Sequence, residues 1–258
     1  MLRYGWVIKM KKSQNIYDNE HFYKEYREMR EQNLNANELI EIPIMKSMLP
    51  DLKGKRILDL GCGNGAMSKY FIEQGASYVL ALDISENMIT EAKEKNNNPN
   101  ITYDVLGMEK IDTIKEKFDL VFSSLAFHYI EDFDKLTTDI NNLLNEAGIL
   151  LYSQEHPTVL APIYDLGTKN RIEINNKRYY LLNNYNENGK RAFLWNDCSV
   201  DKYHRNFECI INTLIKNNFT ITQIKESTAS QEAIELVEKY KYQKDRPYFL
   251  FVKATKNN

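Results

Sequence analysis

Three side chains that can move a proton stand just beyond apolar runs of the sequence. Glu155 and His156 follow the run 149–153, and His128 follows the run 118–122. A histidine near neutral pH can take a proton from a hydroxyl, an amine or an activated carbon. We therefore expect Glu155, His156 and His128 to face one cleft as catalytic residues. His156 is the first candidate for a general base, and His128 or His204 is the second; a purely structural histidine remains the alternative at 128.

A glycine-rich turn follows the first strongly apolar strand. The stretch 56–66 runs from an apolar segment into Gly61, Gly63 and Gly65 and then into a predicted helix. Glycine adopts positive φ and, having no Cβ, lets a ligand touch the backbone. The helix that follows presents free N–H groups to such a ligand. A strand, a bare turn and a helix N-terminus together predict a nucleotide-type site.

An acid ends the second strand, since Asp83 closes the apolar run 78–83. A carboxylate in that place can accept hydrogen bonds from both hydroxyls of a ribose, which indicates an adenosine ligand. Two alternatives stay open. Asp83 can instead cap the next helix. The ligand can also be NAD, because Gly61, Gly63 and Ala66 satisfy the loose pattern G-x-G-x-x-A.

Three motifs carry a family resemblance. Asp59-Leu-Gly-Cys-Gly-Asn-Gly65 resembles the first motif of class I S-adenosylmethionine (SAM) dependent methyltransferases. Leu82-Asp-Ile-Ser-Glu-Asn-Met88 is similar to their second-strand motif, and Ser-Ser-Leu-Ala-Phe-His-Tyr129 to the fourth-strand motif of the type 11 group. The resemblance implies SAM as cofactor and S-adenosylhomocysteine as product. The cofactor-binding residues that it implies are Tyr26, Arg30, Asp59, Gly61, Cys62, Gly63, Asp83, Ile84, Met88, Met108, Glu109 and Leu125.

The sequence departs from this family after the third strand. The family usually has an acid there that contacts the adenine amino group, but this chain has Gly107. Met108 can still offer an apolar face and a backbone N–H to adenine. Glu109 either takes over the amino contact or caps a surface helix. Tyr26 and Arg30 belong to a helix predicted within 17–40, which either closes over the cofactor or packs on the core.

An insertion separates the fifth strand from the last helices and strands. Arg171 to Leu182 predicts a hairpin around Asn175-Asn176, and the stretch 185–195 predicts further strand around Asn188-Gly189. We expect this insertion to cover the substrate. Its candidate substrate residues are Trp195, His204 and Arg205, with His204 and Arg205 at the start of the following helix and Arg205 able to bind an anionic group.

The resemblance implies an α/β fold with a Rossmann-like, mostly parallel seven-stranded sheet. The implied strand order is 3-2-1-4-5-7-6 with the last strand antiparallel, and a β-rich insertion follows strand five. The expected organisation is N-terminal helices over the cofactor site at 1–50, a SAM-binding core at 51–157, the inserted substrate cover at 158–199, and the C-terminal part of the core sheet at 200–258.

Composition argues against several other classes of protein. The chain has 258 residues, a net charge of -2 and a pI near 6.2, so it carries no electrostatic footprint for nucleic acid. Its three cysteines show no paired spacing, which predicts neither a disulfide framework nor a metal site. No apolar run approaches the roughly 20 residues of a membrane span.

We expect a cytoplasmic monomer or homodimer that starts at Met1 or Met10 and acts on a small-molecule methyl acceptor.

The expected reaction is in-line transfer of the sulfonium methyl to an oxygen, nitrogen or carbon nucleophile. A base is needed only where the acceptor carries a proton. Two other functions stay open: SAM binding without chemistry, which the absent acid at Gly107 favours, and an NAD(P)-dependent oxidoreductase, which the Asp59 motif and the final strand oppose.

Overall fold

The computed structural model describes residues 14–31, 34–163, 171–195 and 198–257, without the side chains of residues 29–31 and 195. Within these ranges a seven-stranded sheet forms the centre of the molecule and two hairpins extend from it. The strands are β1 (Arg56–Leu60), β2 (Tyr78–Asp83), β3 (Ile101–Val105), β4 (Phe118–Ser123), β5 (Leu144–Glu155), β6 (Arg171–Ile174), β7 (Lys177–Tyr180), β8 (Gly189–Trp195), β9 (Cys198–His204), β10 (Phe219–Glu226) and β11 (Phe249–Lys256).

The order of the large sheet is β10-β11-β5-β4-β1-β2-β3, which confirms the expected order 3-2-1-4-5-7-6. β11 runs antiparallel to both of its neighbours, whereas β1 to β5 pair in parallel. β1 lies between β2 and β4, so the carboxyl ends of these three strands meet at one edge. In open parallel sheets that edge binds the ligand.

Helices cover both faces of the sheet. Their bounds are α1 (Glu20–Glu31), α2 (Ile42–Met48), α3 (Ala66–Glu73), α4 (Glu86–Lys95), α5 (Phe133–Leu143), α6 (Pro157–Leu160), α7 (Phe207–Lys216) and α8 (Gln231–Leu236). Side chains alternate between the faces of a strand. Leu58 of β1 therefore joins the core under α5 and α7, while Ile57 joins the core under α2, α3 and α4. None of the helices in the described part of the chain combines the length and apolar character of a membrane span.

The helix predicted within 17–40 is divided in the structure. A 3-10 turn covers Ile16–Asp18, α1 follows it, and a π-helical segment at Asn37–Glu41 runs directly into α2. The side-chain oxygen of Asn19 accepts the N–H of Phe22 at 3.0 Å and so caps α1.

The insertion contains both hairpins. β6 and β7 turn at Asn175 and Asn176, whose φ values of 50° and 59° are those of a type I′ turn, so this predicted hairpin is confirmed. The further strand predicted within 185–195 is β8, which begins at Gly189 and pairs antiparallel with β9. The helix predicted to begin at 203–205 begins at Phe207, because the side chain of Asn206 caps it and His204 still belongs to β9. The predicted end of the substrate cover at residue 199 therefore falls inside β9.

Candidate active site

The glycine turn after β1 is held by the neighbouring strand. The N–H groups of Gly61 and Cys62 both donate to the carbonyl of Leu82, at 2.8 and 3.0 Å. Gly61 and Gly63 have φ of 71° and 54°, a region that favours glycine. A Cβ at Gly61 would lie 2.7 Å from the Cβ of Ala126, whereas a Cβ at Gly63 would meet no protein atom within 4 Å. Gly63 thus presents bare backbone on an open side.

Asp83 and Asp59 stand on either side of this turn. The Asp83 carboxylate accepts the N–H of Gly63 at 3.0 Å and the N–H of Ser85 at 2.9 Å. Burial raises its pKa, and these hydrogen bonds oppose the rise. Asp59 accepts the Ser68 hydroxyl at 2.6 Å; burial raises its pKa to about 7 against that hydrogen bond. A carboxylate beside the bare turn fits the two hydroxyls of a ribose.

Two apolar residues and one acid converge between Gly61 and Gly107. The Met108 Cε lies 3.1 Å from the position of a Cβ on Gly61. The Ile84 Cδ1 and the Glu109 Oε2 lie 3.4 and 3.0 Å from the position of a Cβ on Gly107. The Glu109 carboxylate therefore lies beside the point at which a longer side chain at position 107 would begin.

Met88 and Cys62 complete this side of the site. Met88 lies buried in α4 behind the end of β2. Burial, together with Asp59 and Asp83, raises the pKa of the Cys62 thiol, so Cys62 is a protonated lining residue at neutral pH.

The segment before α1 packs on the end of β2. Asp18 accepts the Ser85 hydroxyl at 2.5 Å and the N–H of Asn87 at 3.2 Å. Burial acts to raise the pKa of Asp18, but these hydrogen bonds lower it overall. The side chain of Asn87 in turn donates to the carbonyl of Tyr17 at 3.2 Å. Sequence reasoning placed Tyr17 and Asp18 in the helix predicted within 17–40 but assigned only Tyr26 and Arg30 of that helix to the site.

Tyr26 comes to the site through Tyr17. The two rings stand edge to face at 5.1 Å. Burial raises the pKa of Tyr17, and Tyr129, Tyr26 and Asp83 add to the rise. These residues therefore form one cluster beside Asp83. The predicted role of Arg30 concerns a side chain outside the described part of the chain.

The exit from β4 has an unusual backbone. Leu125 has a φ of 51°, and its N–H donates to the carbonyl and the hydroxyl of Ser153, at 3.1 and 3.0 Å. A non-glycine residue in this conformation persists only where its surroundings hold it. Three residues later, the Nδ1 of His128 accepts the N–H of Glu155 at 3.4 Å. Burial lowers the pKa of His128 to about 3, so the ring is neutral.

Glu155 forms a buried ion pair with Lys202 of β9, at 2.5 Å. Burial acts to raise the pKa of Glu155, but Lys202 and His128 lower it overall. Burial acts to lower the pKa of Lys202, but Glu155 and Tyr129 raise it overall. Both groups are therefore charged at neutral pH. Lys202 was missed from the sequence because β9 was not predicted as a strand.

His156 does not share a cleft with His128, contrary to expectation. Consecutive residues of an extended strand end point to opposite faces. The His156 ring nitrogens bond with Glu226 and Thr158, at 2.9 and 2.8 Å, and its ring packs on Phe207. Burial lowers the pKa of His156 and Glu226 opposes the shift.

Two of the three expected substrate residues are engaged in other contacts. The guanidinium of Arg205 donates to the carbonyls of Phe127, Ile130 and Glu131, which secures the turn that carries His128. Burial lowers the pKa of Arg205 to about 10. The Nε2 of His204 bonds with the carbonyl of Tyr185 at 2.8 Å, and burial lowers its pKa. Trp195 ends β8, and its side chain lies outside the described part.

Comparison with known proteins agrees with this geometry. A family model described as a methyltransferase domain matches residues 58–152. The chain is 33% identical to an S-adenosylmethionine dependent methyltransferase from Mesorhizobium loti, with a TM-score of 0.77 over 86% of this chain and 98% of that one. It is 37% identical to an uncharacterized protein of Haemophilus influenzae, over 94% of this chain and 97% of that protein. It is 30% identical to a malonyl-[acyl-carrier protein] O-methyltransferase of Hamiltonella defensa over only 41% of this chain and 40% of that enzyme.

The fold is Rossmann-like, and the glycine turn and the acids Asp59 and Asp83 stand together at the ends of β1 and β2. The chain belongs to the class I SAM-dependent methyltransferases of the type 11 group, and SAM is its cofactor. Membership of this family argues against the alternative function of an NAD(P)-dependent oxidoreductase.

Proposed function

We propose that this methyltransferase acts on an oxygen, nitrogen or carbon atom of a small molecule held between the ends of β4 and β5 and the β8–β9 hairpin. The observation that carries the proposal is the Glu155–Lys202 ion pair at 2.5 Å. It joins the hairpin to the core beside His128, at the edge that also contains the glycine turn. An insertion that reaches this edge is in a position to enclose an acceptor.

Binding and orientation are the main tasks of the residues in this mechanism. SAM supplies a methyl group already activated by a positively charged sulfur. When SAM is bound, Asp83 would hold the ribose hydroxyls, Ile84 and Met108 would pack on the adenine, and Glu109 would accept a hydrogen bond from the adenine amino group. Positioning of the two reactants can lower the barrier by roughly 7–11 kcal/mol.

His128 takes the place of His156 as the first candidate for a histidine that contacts the acceptor. Its ring is neutral and packs on the Tyr129 ring, with the two ring centroids 4.3 Å apart. Because Nδ1 accepts the Glu155 N–H, the neutral ring carries its hydrogen on Nε2, which can donate a hydrogen bond to the acceptor. A pKa near 3 makes the ring too weak a base for the transfer. His156 binds Glu226 and Thr158 on the other face, which supports a structural role.

The first experiment tests methyl transfer and cofactor binding separately. Purified protein and SAM are incubated with a metabolite library while release of S-adenosylhomocysteine is followed, and calorimetry measures SAM affinity. We expect turnover with a small acceptor. Asp83→Ala should weaken SAM binding at least about 100-fold, because it removes two hydrogen bonds to a charged acceptor. Tight SAM binding with no turnover on any acceptor would favour binding without chemistry, and wild-type affinity in Asp83→Ala would refute the placement of Asp83 on the ribose.

The two histidines are then compared as matched variants. His128→Asn should lower the transfer rate about tenfold with SAM affinity retained, because it removes a hydrogen-bond donor to the acceptor. His156→Asn should lower the melting temperature with little change in rate. The reverse pattern would make His156 the histidine that contacts the acceptor.

A further inference from the structure

Glu41 places a carboxylate at the ends of β4 and β5, although no motif of the sequence indicates it. The residue is fully buried. Its Oε1 accepts the hydroxyl of Ser124 at 3.0 Å and also the hydroxyl of Ser153. Its Oε2 accepts the side-chain amide of Asn37 at 2.9 Å. Ser124 directly follows β4, and Ser153 lies in β5, so this carboxylate bonds with two adjacent strands.

The helical register makes this placement unusual. Glu41, Met45 and Met48 stand at positions i, i+4 and i+7 and are all buried, so Glu41 occupies a core-facing position of the helix. Glu41 ends the π-helical segment, a local structure that often occurs at functional sites. Burying a carboxylate is unfavourable unless its interactions compensate. An apolar side chain would pack at this position without the free-energy cost of burying a carboxylate.

Glu41 is connected to the turn at Leu125 through one side chain. The hydroxyl of Ser153 donates to Glu41 and accepts the N–H of Leu125 at 3.0 Å. That N–H belongs to the residue whose φ is 51°. Glu41 thus fixes the hydroxyl that holds the left-handed backbone at the exit of β4.

The strand order indicates which part of the cofactor lies near this turn. The ribose acid Asp83 ends β2, and the apolar residues Ile84 and Met108 lie toward β3. β4 is on the other side of β1. With adenine toward β3 and ribose at β2, the rest of SAM must extend across β1 toward β4. That end carries the sulfonium charge.

We propose that Glu41 is a positioning residue for methyl transfer. It holds the β4 exit turn through Ser153 and Ser124, and its buried negative charge favours SAM, with its positive sulfur, over S-adenosylhomocysteine, with a neutral sulfur. The rate effect rests on the proposed enzymatic function, whereas the affinity effect requires only the shared SAM site.

Calorimetry with SAM and with S-adenosylhomocysteine tests this assignment on Glu41→Gln. Glutamine has nearly the same shape and retains one oxygen acceptor, but it removes the charge. We expect the preference for SAM over S-adenosylhomocysteine to fall about tenfold, as loss of a charge interaction at low effective dielectric predicts. Glu38→Gln is the control, because it makes the same change of charge in the same π-helical segment. Ser153→Ala should keep the preference and lower the transfer rate, because the charge remains while the bond to Leu125 is lost.

The outcomes are separable. A folded Glu41→Gln protein with the wild-type preference and the wild-type rate would make Glu41 a structural residue only. If this variant does not fold, Glu41→Asp keeps the charge but draws it back from Ser153; we expect a lowered rate with most of the preference retained, and an unchanged rate would overturn the assignment. Failure of the wild type to bind either ligand would instead count against the cofactor site itself.

Discussion

We propose that Glu109 takes the role of the acid that the family usually has at the position of Gly107. The backbone at Gly107 has a φ of -72° and a ψ of 147°, which any residue can adopt. The glycine is therefore not required by the conformation. Instead, the Glu109 Oε2 lies 3.0 Å from where the Cβ of a longer residue would stand. The carboxylate that is absent at 107 can thus be supplied from two residues further along the chain.

Moving the carboxylate from position 109 to position 107 tests this proposal. Glu109→Ala should weaken SAM binding about tenfold, because a hydrogen bond to a charged acceptor contributes roughly 1.5–3 kcal/mol when buried and less near solvent. Adding Gly107→Asp to that variant should restore most of the affinity, since the Glu109 side chain no longer occupies the space. Calorimetry measures both. Asp112→Ala, in the same 3-10 helix, should leave affinity unchanged. A double variant as weak as Glu109→Ala alone would show that Glu109 has no contact with adenine.

At the scale of secondary structure, the β8–β9 hairpin carries two ion pairs of different burial. Lys202 pairs with Glu155 in the interior, with side chains only 8% and 22% exposed. Lys190 pairs with Asp201 at 2.5 Å within the hairpin, with side chains 48% and 32% exposed. Breaking a buried pair typically costs about 3–5 kcal/mol because the remaining charge is left uncompensated, whereas an exposed pair contributes about 0–1 kcal/mol.

This difference predicts the behaviour of two lysine variants. Lys202→Met should lower the free energy of unfolding several-fold more than Lys190→Met, as measured by urea denaturation. Adding Glu155→Leu to Lys202→Met should recover part of the loss, since no unpaired charge remains. Turnover of the acceptor should stay impaired in the double variant while SAM affinity is retained. Equal destabilisation by the two lysine variants would mean that the hairpin is not anchored through Lys202.

Sequence reasoning predicted the elements whose signals are local. The glycine turn, the acid ending β2 and the Asn175-Asn176 hairpin are set by residues adjacent in the chain, whereas the order of the sheet was implied by the family resemblance. The contacts of Arg205 could not be read in this way, because its carbonyl partners lie at 127–131. Glu41 was missed because no motif marks it and its partners Ser124 and Ser153 are distant in the chain. The separation of Glu155 from His156 was available from strand alternation alone, and the wrong prediction came from not applying it.

At the scale of the whole molecule, buried ionisable groups act on stability with opposite signs. The pKa of His128 is lowered to about 3 by burial, so the unfolded chain binds more protons than the folded one below about pH 6.5. Stability from this group is therefore lost as the pH falls. The pKa of Asp59 is raised to about 7 by burial, so the folded chain holds the extra proton between about pH 4 and pH 7. Stability from this group is lost as the pH rises.

These two effects offset each other in the wild type between about pH 7 and pH 5, so variants are needed to reveal them. From pH 7 to about pH 5, His128 contributes a loss of about 2 kcal/mol, since each pKa unit corresponds to about 1.4 kcal/mol. We expect the free energy of unfolding of His128→Asn, relative to wild type, to rise by about that amount over the same interval. Asp59→Asn should show the opposite trend, because asparagine resembles the protonated acid at every pH. Urea denaturation at both pH values measures these differences.

His21→Asn is the control, because the His21 side chain is 61% exposed. Parallel pH profiles for His128→Asn and His21→Asn would show that burial does not keep His128 neutral in the folded protein.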